Sequence, residues 1–147
     1  MPSTTAAGSA IAISAAAPAT PDAAGYAALS FTEIGQVEKI GAIGAVYAKV
    51  EFQPLKGPKQ KHKGSKDNGS LAPSLAHDST DAGQTLLRTA ADSNSLYSFM
   101  VTYADGAKRY FQGRVFGYPE NTDGADTILM ANPTVEINSD IVKVAAS

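Results

Sequence analysis

Between residues 46 and 53 apolar and polar side chains alternate. Val46, Ala48, Val50 and Phe52 fall on one side, and Tyr47, Lys49, Glu51 and Gln53 on the other, the period of two of a half-buried strand. Pro54 ends the run. A second alternation sets Tyr97, Phe99, Val101 and Tyr103 against Ser98, Met100, Thr102 and Ala104. Asp105 and Gly106 then supply the backbone freedom of a two-residue hairpin turn, and the partner strand runs from about Lys108 to Phe116 with Phe111 and Val115 inward. Phe31 to Ile40 predicts a first strand, followed by a turn at Gly41 to Gly44. Ser70 to His77 predicts another, in which Pro73 demands an edge or a bulge because it has no N–H for the ladder. Thr127 to Met130, a break at Asn132-Pro133, and a strand pair from Val135 to Val144 around Asn138 to Asp140 complete the series. The period changes once. Gly83, Leu86, Leu87 and Ala90 recur at helical spacing behind Asp81 and Gln84, which are placed as a capping box. Six to eight strands with one helix predict a mainly β protein, an antiparallel sandwich or barrel with one flanking α-helix.

Two stretches lack a period. Residues 55–70 are polar and rich in Gly and Lys, and predict a long mobile loop. Residues 1–24 predict a flexible Ala/Ser/Pro-rich arm, so the folded domain is placed at 25–147. A secretory leader is not expected, because such a segment opens with basic residues and the first here is Lys39. At 147 residues one domain with a real core is expected, and no apolar run approaches the roughly 20 residues of a membrane helix. No membrane partner is therefore expected.

The absence of cysteine removes disulfides, thiolate metal sites and a thiol nucleophile. His77 stands beside Asp78 and Ser79, but adjacency in sequence is no measure of a catalytic triad, and His62 sits among lysines. The carboxylates are scattered singly, and the glycines match neither a dinucleotide nor a phosphate-binding fingerprint. No catalytic, cofactor-binding or metal-binding residue is assigned, and a non-enzyme is expected. Asn68-Gly69-Ser70 matches a glycosylation acceptor, which has no meaning without export.

Charge is more informative. Lys56, Lys59, Lys61, Lys63 and Lys66 fall within eleven residues that contain no acid. The rest of the chain holds seven basic against fourteen acidic residues, a body of net −7 beside a segment of +5. Such a segment is a plain solvated loop, or it neutralises phosphates, or it is drawn to the acidic body of another copy of the chain. An acidic body repels nucleic acid, and no aromatic side chain interleaves these lysines to stack bases, so of the two functional readings self-association is favoured.

The order of these elements resembles the tail tube, or major tail, proteins of long-tailed, non-contractile bacteriophages and related gene-transfer agents. The likeness runs from about Gly25 to Val144. It is carried by the lysine- and glycine-bearing segment after the second strand, the Asp78-Ser79-Thr80-Asp81-Ala82-Gly83-Gln84 helix entry, the hairpin from Tyr97 to Val115, and the ending Val135-Glu136-Ile137-Asn138-Ser139-Asp140-Ile141-Val142. The resemblance implies a structural virion protein whose subunits form hexameric rings stacked into a tube for genome delivery. It implies as partners other copies of itself, a tape measure protein, tail terminator and distal tail or baseplate proteins, and DNA in transit. Localisation would be the virion tail, assembled in the host cytoplasm. The long loop of the family reaches toward the adjacent ring, a role that falls here on residues 55–70 and their five lysines. An acidic lumen, which keeps DNA from adhering, points to Glu33, Glu38 and Glu51. A host- or carbohydrate-binding virion sandwich and a small nucleic-acid-binding barrel remain alternatives.

Overall fold

The computed structural model describes residues 5–122 and 124–146. Its first strand is a correction to the expected arm. β1 (Ala10–Ser14) lies inside a seven-stranded antiparallel sheet, paired on one side with β2 (Thr32–Glu33) and on the other with β8 (Tyr97–Thr102). Ile11 and Ile13 are fully buried. A second helix absent from the sequence reading follows: α1 (Ala23–Ala27), whose N-cap Asp22 accepts a hydrogen bond from the Gly25 N–H at 2.8 Å. Residues 1–4 of the expected arm lie outside the described residues.

The remaining strands are β3 (Val37–Lys39), β4 (Val46–Phe52), β5 (Gln60–Asp67), β6 (Ser70–Leu71), β7 (Ser74–Ala76), β9 (Lys108–Gly117), β10 (Glu120–Asn121), β11 (Met130–Ala131), β12 (Thr134–Ile137) and β13 (Val142–Val144), with α2 (Ala82–Ala91) between β7 and β8. The large sheet has the order β2-β1-β8-β9-β12-β6, and β13 also pairs with β9. A smaller sheet has the order β10-β11-β7-β3. Each strand of the smaller sheet continues a strand of the larger one across a short break: β2 into β3 at Gly35-Gln36, β6 into β7 at Ala72-Pro73, β9 into β10 at Tyr118-Pro119, and β11 into β12 at Asn132-Pro133. The two outer strands of the large sheet, β2 and β6, are thereby joined through the β3–β7 pairing, Val37 to Leu75 and Lys39 to Ser74. The sandwich closes on itself as a small barrel, as strands that switch sheets at corners allow.

Three of the four corners carry proline, and the missing N–H explains the placement: a ladder has to stop there. The expected single strand from Ser70 to His77 is thus two strands in different sheets, and Pro73 marks the crossing. The fourth corner has Gln36 at φ 59, a left-handed conformation held from both sides. The Gly35 N–H donates to Asp81 Oδ2 at 3.0 Å, and the Gln36 carbonyl accepts from the Ala76 N–H at 2.8 Å.

Core side chains come from all layers. Ile11, Ile13, Phe99, Val101, Phe111, Val115 and Val135 point inward from the large sheet to meet Leu75, Ala131, Leu87 and Ala90. Phe99 and Phe111, directly opposed on β8 and β9, stack with centroids 5.4 Å apart. On the other face of the same sheet Tyr26 of α1 stacks on Tyr110 at 5.3 Å, so this part of the sheet is covered on both sides. The β8–β9 turn has three residues, not the expected two. Tyr103 pairs with Ala107, the Gly106 N–H closes on the Tyr103 carbonyl at 2.9 Å, and Gly106 takes φ 98. A type I turn followed by a left-handed glycine bulge is what this geometry describes.

The α2 cap is half of the expected box. Asp81 accepts from the Gln84 N–H at 2.9 Å, but the Gln84 side chain turns inward, away from the cap. Its amide donates to the carbonyls of Gly35 and Ala76, and its oxygen accepts from the Asp78 N–H, each at 2.9 Å. One fully buried glutamine therefore ties the β2–β3 corner to β7 and the helix entry. Gly83 beside it permits the close approach, since a Cβ there would sit 2.2 Å from the Glu33 carbonyl oxygen.

Candidate assembly interface

Residues 46–67 leave this body as a free-standing antiparallel hairpin. β4 and β5 pair only with each other, and neither packs substantially on another helix or strand among the described residues. The expected mobile loop is corrected by the second half of this element: Lys61, Lys63 and Lys66 lie on β5, Lys59 just before it, and Lys56 at the turn. No apolar side chain marks β5, so nothing in its pattern announced a strand; backbone pairing to β4 makes it one.

Cross-strand register assigns the faces, because directly opposed residues project to the same side. Val50 opposes His62 and Phe52 opposes Gln60, whereas Lys49 opposes Lys63, Glu51 opposes Lys61 and, past a bulge, Tyr47 opposes Lys66. One face is thus Val46, Ala48, Val50 and Phe52 with Gln60, His62 and, opposite Val46, Asp67. The other is Tyr47, Lys49, Glu51, Lys61, Lys63 and Lys66, with Lys63 Nζ lying 4.8 Å from the Tyr47 ring centroid. The expected half-buried strand is corrected in one respect: its apolar row is in solvent, with Val46 69%, Val50 52% and Phe52 58% exposed. Leu55 at the turn is fully exposed as well. The alternation reported two faces correctly; it carried no information on what covers either of them.

Charge within the hairpin is unbalanced. Residues 46–67 hold six basic and two acidic side chains, net +4, and the rest of the chain holds six basic and twelve acidic, net −6. Glu51 is shared between Lys49 at 3.0 Å and Lys59 at 3.5 Å. Lys49 and Lys63 face each other as like charges, an arrangement that costs stability in an isolated ladder. The three acids expected at the lumen lie on different elements: Glu33 on β2 of the large sheet, Glu38 on β3 of the small one, and Glu51 on the hairpin.

At the root of the hairpin Lys66 Nζ meets Asp140 Oδ1 at 3.1 Å. The bond and charge of Lys66 hold the Asp140 carboxyl below the ordinary carboxylate range, and Asp140 in turn raises Lys66. The pair is complete between those limits. It is lost as pH falls through the depressed Asp140 value, and again as pH rises through the raised Lys66 value. Both groups are in solvent, so the effect is local. The protection factors of the amides at residues 66–69, taken relative to the intrinsic exchange rate at each pH, are expected to fall at acid pH in the wild type and to be low already at neutral pH in Asp140→Asn, while core amides stay protected in both.

The two histidines do not form a catalytic arrangement. His62 is exposed on the apolar face of the hairpin. Asp78 Oδ1 accepts from the Thr80 hydroxyl and N–H at 2.7 and 3.0 Å, bonds that depress its carboxyl. His77 Nδ1 has no hydrogen-bond partner among the described residues.

The fold is shared with solved structures over nearly the whole chain. A chain of the 6-fold symmetrised anti-feeding prophage baseplate matches with a TM-score of 0.70 at 8% identity, covering 100% of this chain and 98% of that one. A chain of the extracellular contractile injection system PVC sheath/tube terminator matches with a TM-score of 0.69 at 8% identity, covering 99% of each. The SPP1 tail tube matches with a TM-score of 0.64 at 13% identity, covering 93% of this chain and 76% of that one. The fold is that of tail tube proteins. The expected restriction to non-contractile tails does not follow from it, because the tail tube fold here is equally close to chains of a contractile injection system. Neither a protein-family model nor a curated protein sequence matches.

Proposed function

We propose that this chain is a structural subunit of a virion tail tube, whose copies form hexameric rings stacked into a conduit for the genome. The observation that carries the reading is the free-standing hairpin on a tail tube fold. A two-stranded ribbon with an uncovered apolar face is marginal in water by itself, and this one has four apolar residues of β4 in solvent. A neighbouring copy supplies the missing cover. The hairpin, with Lys56, Lys59, Lys61, Lys63 and Lys66, is the contact element between rings. Glu33 and Glu38, exposed on strands of the barrel, are the better candidates for an acidic lumen; Glu51 is already engaged by two lysines. No catalytic activity belongs to this role. The tape measure, terminator and baseplate proteins are its partners, in a virion assembled in the host cytoplasm.

Concentrated purified protein is expected to show six-fold rings or tubes by negative-stain microscopy. Excising residues 46–67 across a short Gly/Ser link is expected to abolish them while the circular dichroism of the body persists. A protein that stays monomeric at every concentration, and lysates of producing cells without tubes, would sink the reading.

A further inference from the structure

The hairpin has two chemically distinct faces, and they cannot serve a contact in the same way. Burial of apolar surface acts only at contact and is insensitive to moderate salt, whereas exposed lysines act at a distance and are screened beyond about 10 Å at 0.1 M salt. We propose that the faces divide the work of docking on a second copy of this chain: the Val46, Ala48, Val50 and Phe52 row sets the affinity, and the lysine row sets the rate and orientation of approach. The inference rests on the tube reading above and deepens it.

Charge identifies the occupant. A hairpin of net +4 carried by a remainder of net −6 is complementary to the body of another copy and opposes a second hairpin. Nucleic acid fits less well. The only aromatic ring on the basic face, Tyr47, is already engaged by Lys63, and the apolar row offers phosphate nothing. The surface ion pairs available to the lysines are individually weak, and Glu51 already neutralises part of the row from within. Val50 and Phe52, by contrast, are more than half exposed and adjacent on one face, so docking can remove both from water at once. Gly64 keeps the floor of that face low, since a Cβ there would lie 2.9 Å from Val50 Cγ2.

The test compares wild type with Val50→Ser/Phe52→Ser and with Lys61→Gln/Lys63→Gln. All four positions are in solvent or only partly covered, so thermal melts are expected to match. The critical concentration for assembly is read by sedimentation, and the initial rate by light scattering across a sodium chloride series. The serine variant is expected to raise the critical concentration by roughly tenfold or more and keep the wild-type salt dependence of the rate. The glutamine variant is expected to assemble several-fold more slowly at low salt, to lose most of the salt dependence, and to keep its critical concentration within about twofold of wild type. A glutamine variant that raises the critical concentration as far as the serine variant overturns the division, as does a serine variant that assembles like wild type. Wild type that fails to assemble at any salt or concentration overturns the tube reading and the inference with it.

Discussion

Ile13→Ala is expected to lower the free energy of unfolding by about 2–5 kcal/mol, and removal of residues 5–16 is expected to abolish the cooperative transition. Ile13 is fully buried, and its strand bridges two others: Ile13 pairs with Thr32 on one side and Phe99 on the other. Deleting β1 would strip the β8 ladder of a partner from Ser98 to Thr102 and leave β2 with no partner in the large sheet. Helix α2 also rests on β1 and β2. Urea denaturation followed by circular dichroism measures both variants. A truncated chain that unfolds cooperatively at the wild-type midpoint would mean that the segment is a dispensable arm after all.

Gln84→Leu is expected to cost about 3 kcal/mol or more, although the side chains are similar in size. The glutamine satisfies the Gly35 and Ala76 carbonyls and the Asp78 N–H in a site with no measurable exposure. Each backbone group left without a partner there costs about 1–3 kcal/mol. In a domain of this length, 3 kcal/mol is a fall of roughly 10 °C in Tm, readable by calorimetry. Because the three groups belong to the seam where the barrel closes, Gln84→Leu is also expected to accelerate hydrogen exchange at Ala76 before it does so at the centre of β9. Gln84→Glu retains an acceptor for the Asp78 N–H but sets a carboxylate oxygen against the Gly35 and Ala76 carbonyls in a buried site, so a Tm no higher than that of Gln84→Leu is expected. A leucine variant as stable as wild type would show that water or a backbone shift replaces the glutamine.

How much of this was legible in the sequence depended on what covers each strand. The β8–β9 hairpin was read well because its inward residues, Phe99, Val101, Phe111 and Val115, are large and alternate with partly polar neighbours. β1 escaped notice because neither of its faces is wet. Ile11 and Ile13 enter the core while Ala12, only 4% exposed, is covered on the outer face, and a run of only four apolar residues between serines, two of them alanine, resembles a low-complexity tail. The prolines at 73 and 133 were readable as breaks, but a break does not say that the chain goes on in another sheet. That depends on pairings between residues far apart in the chain, such as Val37 with Leu75. The lysines were found as a charge cluster by composition alone. Their division from the apolar row required the register, since a bulge between Tyr47 and Lys49 is invisible to a periodic pattern.

The hairpin joins the body through a narrow neck, Gly44 on one side and Gly69 on the other, with one exposed ion pair as a brace. Folding therefore places almost no demand on residues 46–67. On the proposed contact role, substitutions there are filtered by fit to a neighbour, while substitutions in the barrel are filtered by stability, and the two can change at different speeds. In practical terms the ribbon is an interchangeable fitting. If the proposed contact role holds, grafting it between two chains of this fold is expected to exchange which subunits accept one another and to leave each barrel as it was.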